Sequence, residues 1–261
     1  MTSKTPMTSK TQEALVAGQF GRRAAAYVSS AVHARGEDLL QLAGFVKGAV
    51  GARLLDLGCG GGHVSFHVAP EVGEVVAYDL SAEMLAAVAG EARRRGLANI
   101  RTEQGAVEQL PFSDESFDFV VTRFSAHHWR DFPAALREAF RVLKPGGRAA
   151  FVDTITPGEP LLDTFLQSIE LLRDASHVRN YARAEWTQAA SGAGFEIGEI
   201  TQRRLSLDFG PWVERMATPE VQVKAIRALQ TQMSAEVTGY FEIQPDGSFT
   251  FDTMTLEARR A

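Results

Sequence analysis

The run Leu54-Leu55-Asp56-Leu57-Gly58-Cys59-Gly60-Gly61-Gly62-His63 constrains the fold more than any other stretch of this chain. It reads as a buried strand carrying an acid near its end, then a glycine loop, then a helix start. A second apolar run, Val75-Val76-Ala77-Tyr78, closes on Asp79, twenty-three positions after Asp56. Two neighbouring strands that each end in an acid, with a glycine turn between them, belong to the carboxyl edge of an α/β sheet, where such sheets bind ligands.

The rest of the first 155 residues repeats that alternation. Strands are expected at 53–57, 74–79, 99–104, 117–122 and 148–153. Helices are expected at 62–70, where Pro70 ends the element, at 82–95, with Ser81 as N-cap and Gly96 as stop, and at 131–143. Lys144-Pro145-Gly146-Gly147 reads as a turn. Strands alternating with helices imply a parallel, doubly wound sheet. Residues 13–47 read as helical. Beyond Pro157 helices are expected at 159–173, 184–192 and through most of 210–238, with a strand at 195–201. Tyr240-Phe241-Glu242-Ile243 and Phe249 to Leu256, joined by Gln244-Pro245-Asp246-Gly247, read as a hairpin.

The glycine loop and its two acids form a nucleoside pocket that suits S-adenosylmethionine (SAM) better than other ligands. An ionised Asp79 accepts two hydrogen bonds from a ribose diol, and the helix start after Gly62 offers free N–H groups to a carboxylate. A dinucleotide fingerprint needs glycines at positions one, three and six of the loop. Counted from Gly58, the sixth position is His63, which disfavours a nicotinamide dehydrogenase.

Several further motifs stand in order with this loop: Asp79-Leu80-Ser81-Ala82-Glu83-Met84-Leu85, Gly105-Ala106-Val107-Glu108-Gln109-Leu110-Pro111-Phe112, Phe117-Asp118 and Arg141-Val142-Leu143-Lys144-Pro145-Gly146-Gly147. Together they resemble the class I SAM-dependent methyltransferases, in the branch of ubiquinone and menaquinone biosynthesis (type 11). Gln19-Phe20, Ala24-Ala25-Ala26-Tyr27 and Ser125-Ala126-His127-His128-Trp129 are also similar to that branch. The resemblance implies a seven-stranded sheet of order 3-2-1-4-5-7-6 with strand 7 antiparallel. The polar, self-repeating opening reads as a disordered tail at 1–12, and the resemblance implies a single methyltransferase domain over 13–261. Within it, 13–47 would be cap helices, 48–155 the SAM-binding core and 156–261 an acceptor-side elaboration with the last strands. By the same resemblance Asp56, Gly58 and Gly60 line the methionine half of SAM, Asp79 holds the ribose, Leu80 and Met84 sandwich the adenine, and Ala106 and Val107 meet its edge. Met84 also fits a plain core position. Relatives often place an acid where this chain has Ala106. Arg123 and Phe124 are expected between cofactor and acceptor, with Tyr27 closing over the methyl group.

Methyl transfer to a small-molecule acceptor, at carbon or oxygen, is the function these residues point to. Small-acid carboxyl methylation, with Arg123 or Arg179 clamping the carboxylate, and non-catalytic SAM binding are the competing readings. A general base is needed only where the acceptor loses a proton. His128 is the candidate, on the expectation that His127 beside it cannot face the same pocket. Phe20, Tyr27, Phe165, His177, Tyr181, Trp212 and Met216 are the expected acceptor wall. His63 and His67, four apart, have metal-ligand spacing without an evident third ligand, so no metal is expected. Cys59 has no base beside it and reads as packing. A net charge of −5 argues against a nucleic-acid partner. No apolar run has membrane-span length and no secretory signal opens the chain, so the expected location is the cytoplasm. Nothing in the sequence fixes the oligomeric state.

Overall fold

The computed structural model describes residues 10–21, 23–24 and 36–261. Seven strands form one sheet: β1 (Arg53–Leu57), β2 (Glu74–Asp79), β3 (Ile100–Gln104), β4 (Phe117–Arg123), β5 (Leu143–Ile155), β6 (Glu196–Leu207) and β7 (Phe249–Arg259). Their order is β3-β2-β1-β4-β5-β7-β6. The first five are parallel, and β7 runs antiparallel between β5 and β6. Order and direction agree with the sequence-based expectation.

Why the central strands read as unbroken apolar runs is visible in their packing. Side chains alternate across a strand, and here both faces are covered. Leu55, Val76, Val120 and Phe151 enter the core on one face, while Leu54, Val75, Val121 and Val152 enter the core on the other. Among the helices, α1 (Gln12–Gly21) and α2 (Glu37–Phe45) precede the sheet, α3 (His63–Val68) follows the glycine loop, and α4 (Ala82–Arg94) follows β2. The Ser81 hydroxyl accepts the Met84 N–H at 3.2 Å and so caps α4 as expected. Between β4 and β5 lies α5 (Phe132–Val142), capped by Asp131.

Past β5 come α6 (Pro160–Arg173) and α7 (Arg183–Ala193), then β6, and then three short helices: α8 (Phe209–Met216), α9 (Glu220–Gln232) and α10 (Ala235–Tyr240). Leu166, Ile169, Trp212, Ile226, Val237 and Phe249 make a separate apolar cluster there. This cluster holds the later segments against the sheet's carboxyl edge. No helix among the described residues is long and apolar enough to cross a membrane.

Three expectations need correction. Lys144-Pro145-Gly146-Gly147 is a bulge inside β5, not a turn before it. Pairing jumps from Phe117↔Leu143 to Phe119↔Arg148, and Gly146 takes φ +76° to absorb the extra residues. β6 continues from 201 to Leu207 through the polar stretch Gln202-Arg203-Arg204, because an edge strand exposes alternate residues and needs no apolar run. Residues 240–243 are not a strand. Tyr240 ends α10, the Phe241 N–H bonds the Val237 carbonyl, and the Phe241 ring packs on Phe165 at 5.1 Å. Burial of that ring wins over strand pairing, and β7 pairs with β5 and β6 instead.

Phe151 is fully buried and sits against Trp186 and Phe195. Phe151→Ala should lower unfolding free energy by about 3–5 kcal/mol, measured by urea denaturation. A loss under about 1 kcal/mol would contradict this packing.

Candidate active site

The site begins where β1 and β2 end. Gly58 and Gly60 take φ +65° and +48°, in the left-handed region. A Cβ on Gly58 would fall 1.8 Å from the Ser125 hydroxyl, whereas one on Gly60 would point into open space. Asp79 braces the loop. One of its oxygens accepts the Gly60 N–H at 2.9 Å and the other accepts the Ser81 N–H at 2.9 Å. Burial raises the Asp79 pKa, opposed by these backbone bonds. Cys59 is buried beside them, and burial together with Asp79 and Asp56 pushes its thiol far from ionisation.

Over this loop lies a cavity lined by Gly58, Gly60, Asp79, Leu80 and Val107, with Val16 and Phe20 of α1 above it. Five of the residues expected at a nucleoside thus meet in one place. Others do not. Asp56 is 1% exposed and is not among the lining residues; its Oδ2 accepts the Ser65 N–H (3.1 Å) and hydroxyl (2.6 Å), tying β1 to α3. Met84 is fully buried, as its core reading allowed. Ala106 presents its carbonyl to the Tyr78 hydroxyl at 3.2 Å and does not line the cavity. Tyr27 lies outside the described residues.

A second cavity, of about 370 Å³, adjoins the first. Phe20, Phe124 and His128 line both. Phe124 takes φ +51°, which costs a bulky residue roughly 1–2 kcal/mol. Leu205 and Leu207 from β6, Trp212 and Met216 from α8, and Phe251 from β7 supply apolar wall. Of the expected acceptor residues, Phe20, Trp212 and Met216 are there. Phe165 instead packs in the α6–α10 cluster, and Tyr181 stacks on Phe132 at 4.1 Å. His177 is buried with its Nε2 on Gln167 Oε1 at 2.9 Å. Arg123 lines this cavity and is paired with Asp38. Arg179 is paired with Asp163 and Glu185 at 3.1 and 3.2 Å. Both expected carboxylate clamps therefore already hold carboxylates. His67 Nδ1 meets the His63 carbonyl at 2.7 Å, a backbone contact rather than a ligand geometry.

His127 and His128 both line the larger cavity, contrary to expectation, because a short helical turn at 126–128 presents the two rings together, 4.2 Å apart. His127 Nδ1 lies 2.6 Å from Oδ1 of Asp153, a residue on β5 that sequence reasoning did not single out. Asp153 sits near the carboxyl end of a strand adjacent to β4. Strand adjacency is the signal that finds the pair, and no local motif carries it. Burial, then the neighbouring His127 charge, push His128 down to about 4.

A methyltransferase-domain family model matches residues 55–151. YafE of Escherichia coli is 50% identical over 200 residues, covering 77% of this chain and 97% of YafE. The methyltransferase YcgJ of Bacillus subtilis is 36% identical, covering 79% of this chain and 82% of its own. The chain is a class I SAM-dependent methyltransferase of the type 11 branch. The crystal structure of YcgJ superposes with a TM-score of 0.83 over 86% of this methyltransferase and 98% of YcgJ, at 32% identity. A 2-phytyl-1,4-naphtoquinone methyltransferase of Synechococcus elongatus is 42% identical over 123 residues, covering 45% of this chain and 52% of its own.

Burial outweighs the Ser65 hydrogen bonds and lifts the Asp56 pKa from 3.8 to about 7. The folded chain thus binds this proton more tightly than the unfolded chain. The stability owed to Asp56 is complete below about pH 4, falls as pH rises to about 7, and is level beyond. Asp56→Asn keeps an oxygen acceptor for Ser65 without the charge. Between pH 4 and 7.5 the stability difference should move in favour of the variant by on the order of 4 kcal/mol in urea melts. A difference that does not change with pH would contradict this assignment.

Proposed function

We propose that the glycine-loop cavity takes SAM and the larger cavity takes a small-molecule acceptor, with the methyl group crossing between them at Phe20, Phe124 and His128. The observation that carries this reading is the shared lining of the two cavities by those three residues. In this arrangement Asp79 receives the ribose diol. Two of its oxygen sites are already taken by Gly60 and Ser81, and a carboxylate has about two more. Leu80 and Val107 flank the adenine. Gly58 and Gly60 let the backbone approach the methionine half without a Cβ in the way. Asp56 acts through the helix it anchors rather than by contact, and Arg123 faces the acceptor side.

SAM brings an activated sulfonium methyl, so the protein's part is chiefly alignment. Holding both reactants in attack geometry removes roughly 7–11 kcal/mol of barrier. The apolar rings at the junction keep water from the methyl group. On the acceptor side, the apolar wall and the two histidines stand beside ion pairs (Arg123 with Asp38, Arg173 with Glu170, Arg203 with Glu37), which suits a small molecule with an apolar part and a polar group bearing the carbon or oxygen nucleophile. The quinone methyltransferase named above supports that class. Its match spans under half of this chain, so it speaks for the donor chemistry more than for a quinone acceptor here. Small-acid carboxyl methylation gains no support from Arg179, which lines neither cavity, or from Arg123, which is paired with Asp38.

Calorimetry should show one SAM per chain. Asp79→Ala should weaken it by about 100-fold or more, the loss expected for two hydrogen bonds to a charged acceptor at about 1.5–3 kcal/mol each. No SAM binding by the intact chain, or unchanged affinity in the variant, would overturn this placement.

A further inference from the structure

We infer that His127, oriented by Asp153, is the general base of the transfer, and that the acceptor therefore carries a removable proton on the atom to be methylated. This deepens the two-cavity reading and rests on it. The observations are geometric. His127 follows β4 and Asp153 lies on β5, so two adjacent parallel strands bring them together at the sheet's carboxyl edge. Asp153 is 1% exposed, and three donors fix its carboxylate: His127 Nδ1 at 2.6 Å, the His127 N–H at 3.3 Å and the Thr154 N–H at 2.8 Å. An ionised carboxylate only accepts, so it sets the neutral ring as the Nδ1–H tautomer. The lone pair then sits on Nε2 of a ring that lines the acceptor cavity.

His128 is the poorer base. Its Nδ1 faces the neutral Ser176 carbonyl at 3.1 Å, so no carboxylate backs that nitrogen as Asp153 backs His127, and burial keeps the ring neutral. For His127, burial opposes the charged form, but Asp153, by charge and by hydrogen bond, with Glu170 and Asp174 behind it, leaves the pKa above the ordinary histidine value. Burial and the charges of His127 and His128 push His177, 5.8 Å from His127, down to about 2, so it adds no charge of its own. The charged neighbours that favour an imidazolium are thus Asp153 on β5, Glu170 on α6 and Asp174 just after it.

The step balances without a further reagent. Nε2 takes the proton from the acceptor X–H. The X–H electron pair forms the bond from X to the methyl carbon, and the carbon–sulfur pair stays on sulfur, which becomes a neutral thioether. The positive charge of the sulfonium leaves as the proton, held on His127 against Asp153 and then passed to water. The acceptors that fit are phenols, other ionisable O–H groups and carbon acids such as 1,3-dicarbonyls. Thioethers and tertiary amines have no such proton.

Two measurements on the full chain test this. With ¹⁵N-histidine labelling and S-adenosylhomocysteine bound, NMR should show neutral His127 as the Nδ1–H tautomer, titrating above about 6.5, with the pKa falling in Asp153→Asn. An Nε2–H tautomer would overturn the assignment. With isotopically labelled SAM and a panel of phenols, 1,3-diketones and an E. coli small-molecule extract, His127→Gln should cut turnover about 10²–10⁴-fold at neutral pH while homocysteine-product affinity stays within about threefold. Asp153→Asn should move the acid limb of the kcat profile to lower pH, which a merely structural loss would not do, and Asp153→Glu should restore part of it. Turnover retained in His127→Gln sinks the dyad. Absence of labelled product from the unsubstituted chain counts against the two-cavity reading, and the tautomer then decides the dyad alone.

Discussion

The carboxylate of Asp79 is the contact on which the proposed donor half of this methyltransferase depends. It reaches back to the Gly60 N–H and forward to the Ser81 N–H, so one side chain joins the glycine loop after β1 to the start of α4 after β2. The Cys59 N–H on the Tyr78 carbonyl, at 3.0 Å, adds a backbone tie between the same two strand ends. Asp56 does the equivalent for α3 through Ser65. Each acid at the edge thus orders a helix start, and between them the loop is held in a conformation that glycine adopts readily. The open space at Gly60 is what this bracing preserves.

The proposed acceptor half depends on a different force. Leu205, Leu207, Trp212 and Met216 come from the end of β6 and from α8, Phe251 comes from β7, and no short motif unites them. They are brought together by burial of the aromatic cluster around Trp212 and Phe249, whose rings meet edge-on at 5.0 Å. Arg173 reinforces this wall: its Nε donates to the Trp212 carbonyl at 3.0 Å while its guanidinium pairs with Glu170. The glycine-loop cavity is therefore built from backbone geometry at strand ends, and the larger cavity chiefly from side-chain packing between later elements.

That difference explains what could be read from residues alone. β1 and β2 were legible to the residue, because strands buried on both faces give unbroken apolar runs. Ser81 and Gly96 marked α4 because caps are local chemistry. Strand order and the antiparallel β7 came from the family resemblance, since periodicity carries no information about which strands pair. The outer half of β6 was missed because Gln202, Arg203 and Arg204 look like a solvated loop. The hairpin arm at 240–243 was misread because Phe241 is buried by a helix end rather than by a strand. Gly58, Gly60, Asp79, Leu80 and Val107 share one cavity, and their motif places them together. Asp56 shares that motif, yet its direction is set by Ser65, a contact that spacing does not reveal. The His127–Asp153 pair became visible only when β4 and β5 lay side by side.

A crystal structure with S-adenosylhomocysteine bound tests the central claim most directly. The account expects both ribose hydroxyls on Asp79, the adenine between Leu80 and Val107, and the sulfur facing the gap between Phe124 and His128. Density for the nucleoside elsewhere on the sheet, or a ribose held by other groups with Asp79 still turned only to Gly60 and Ser81, would contradict it.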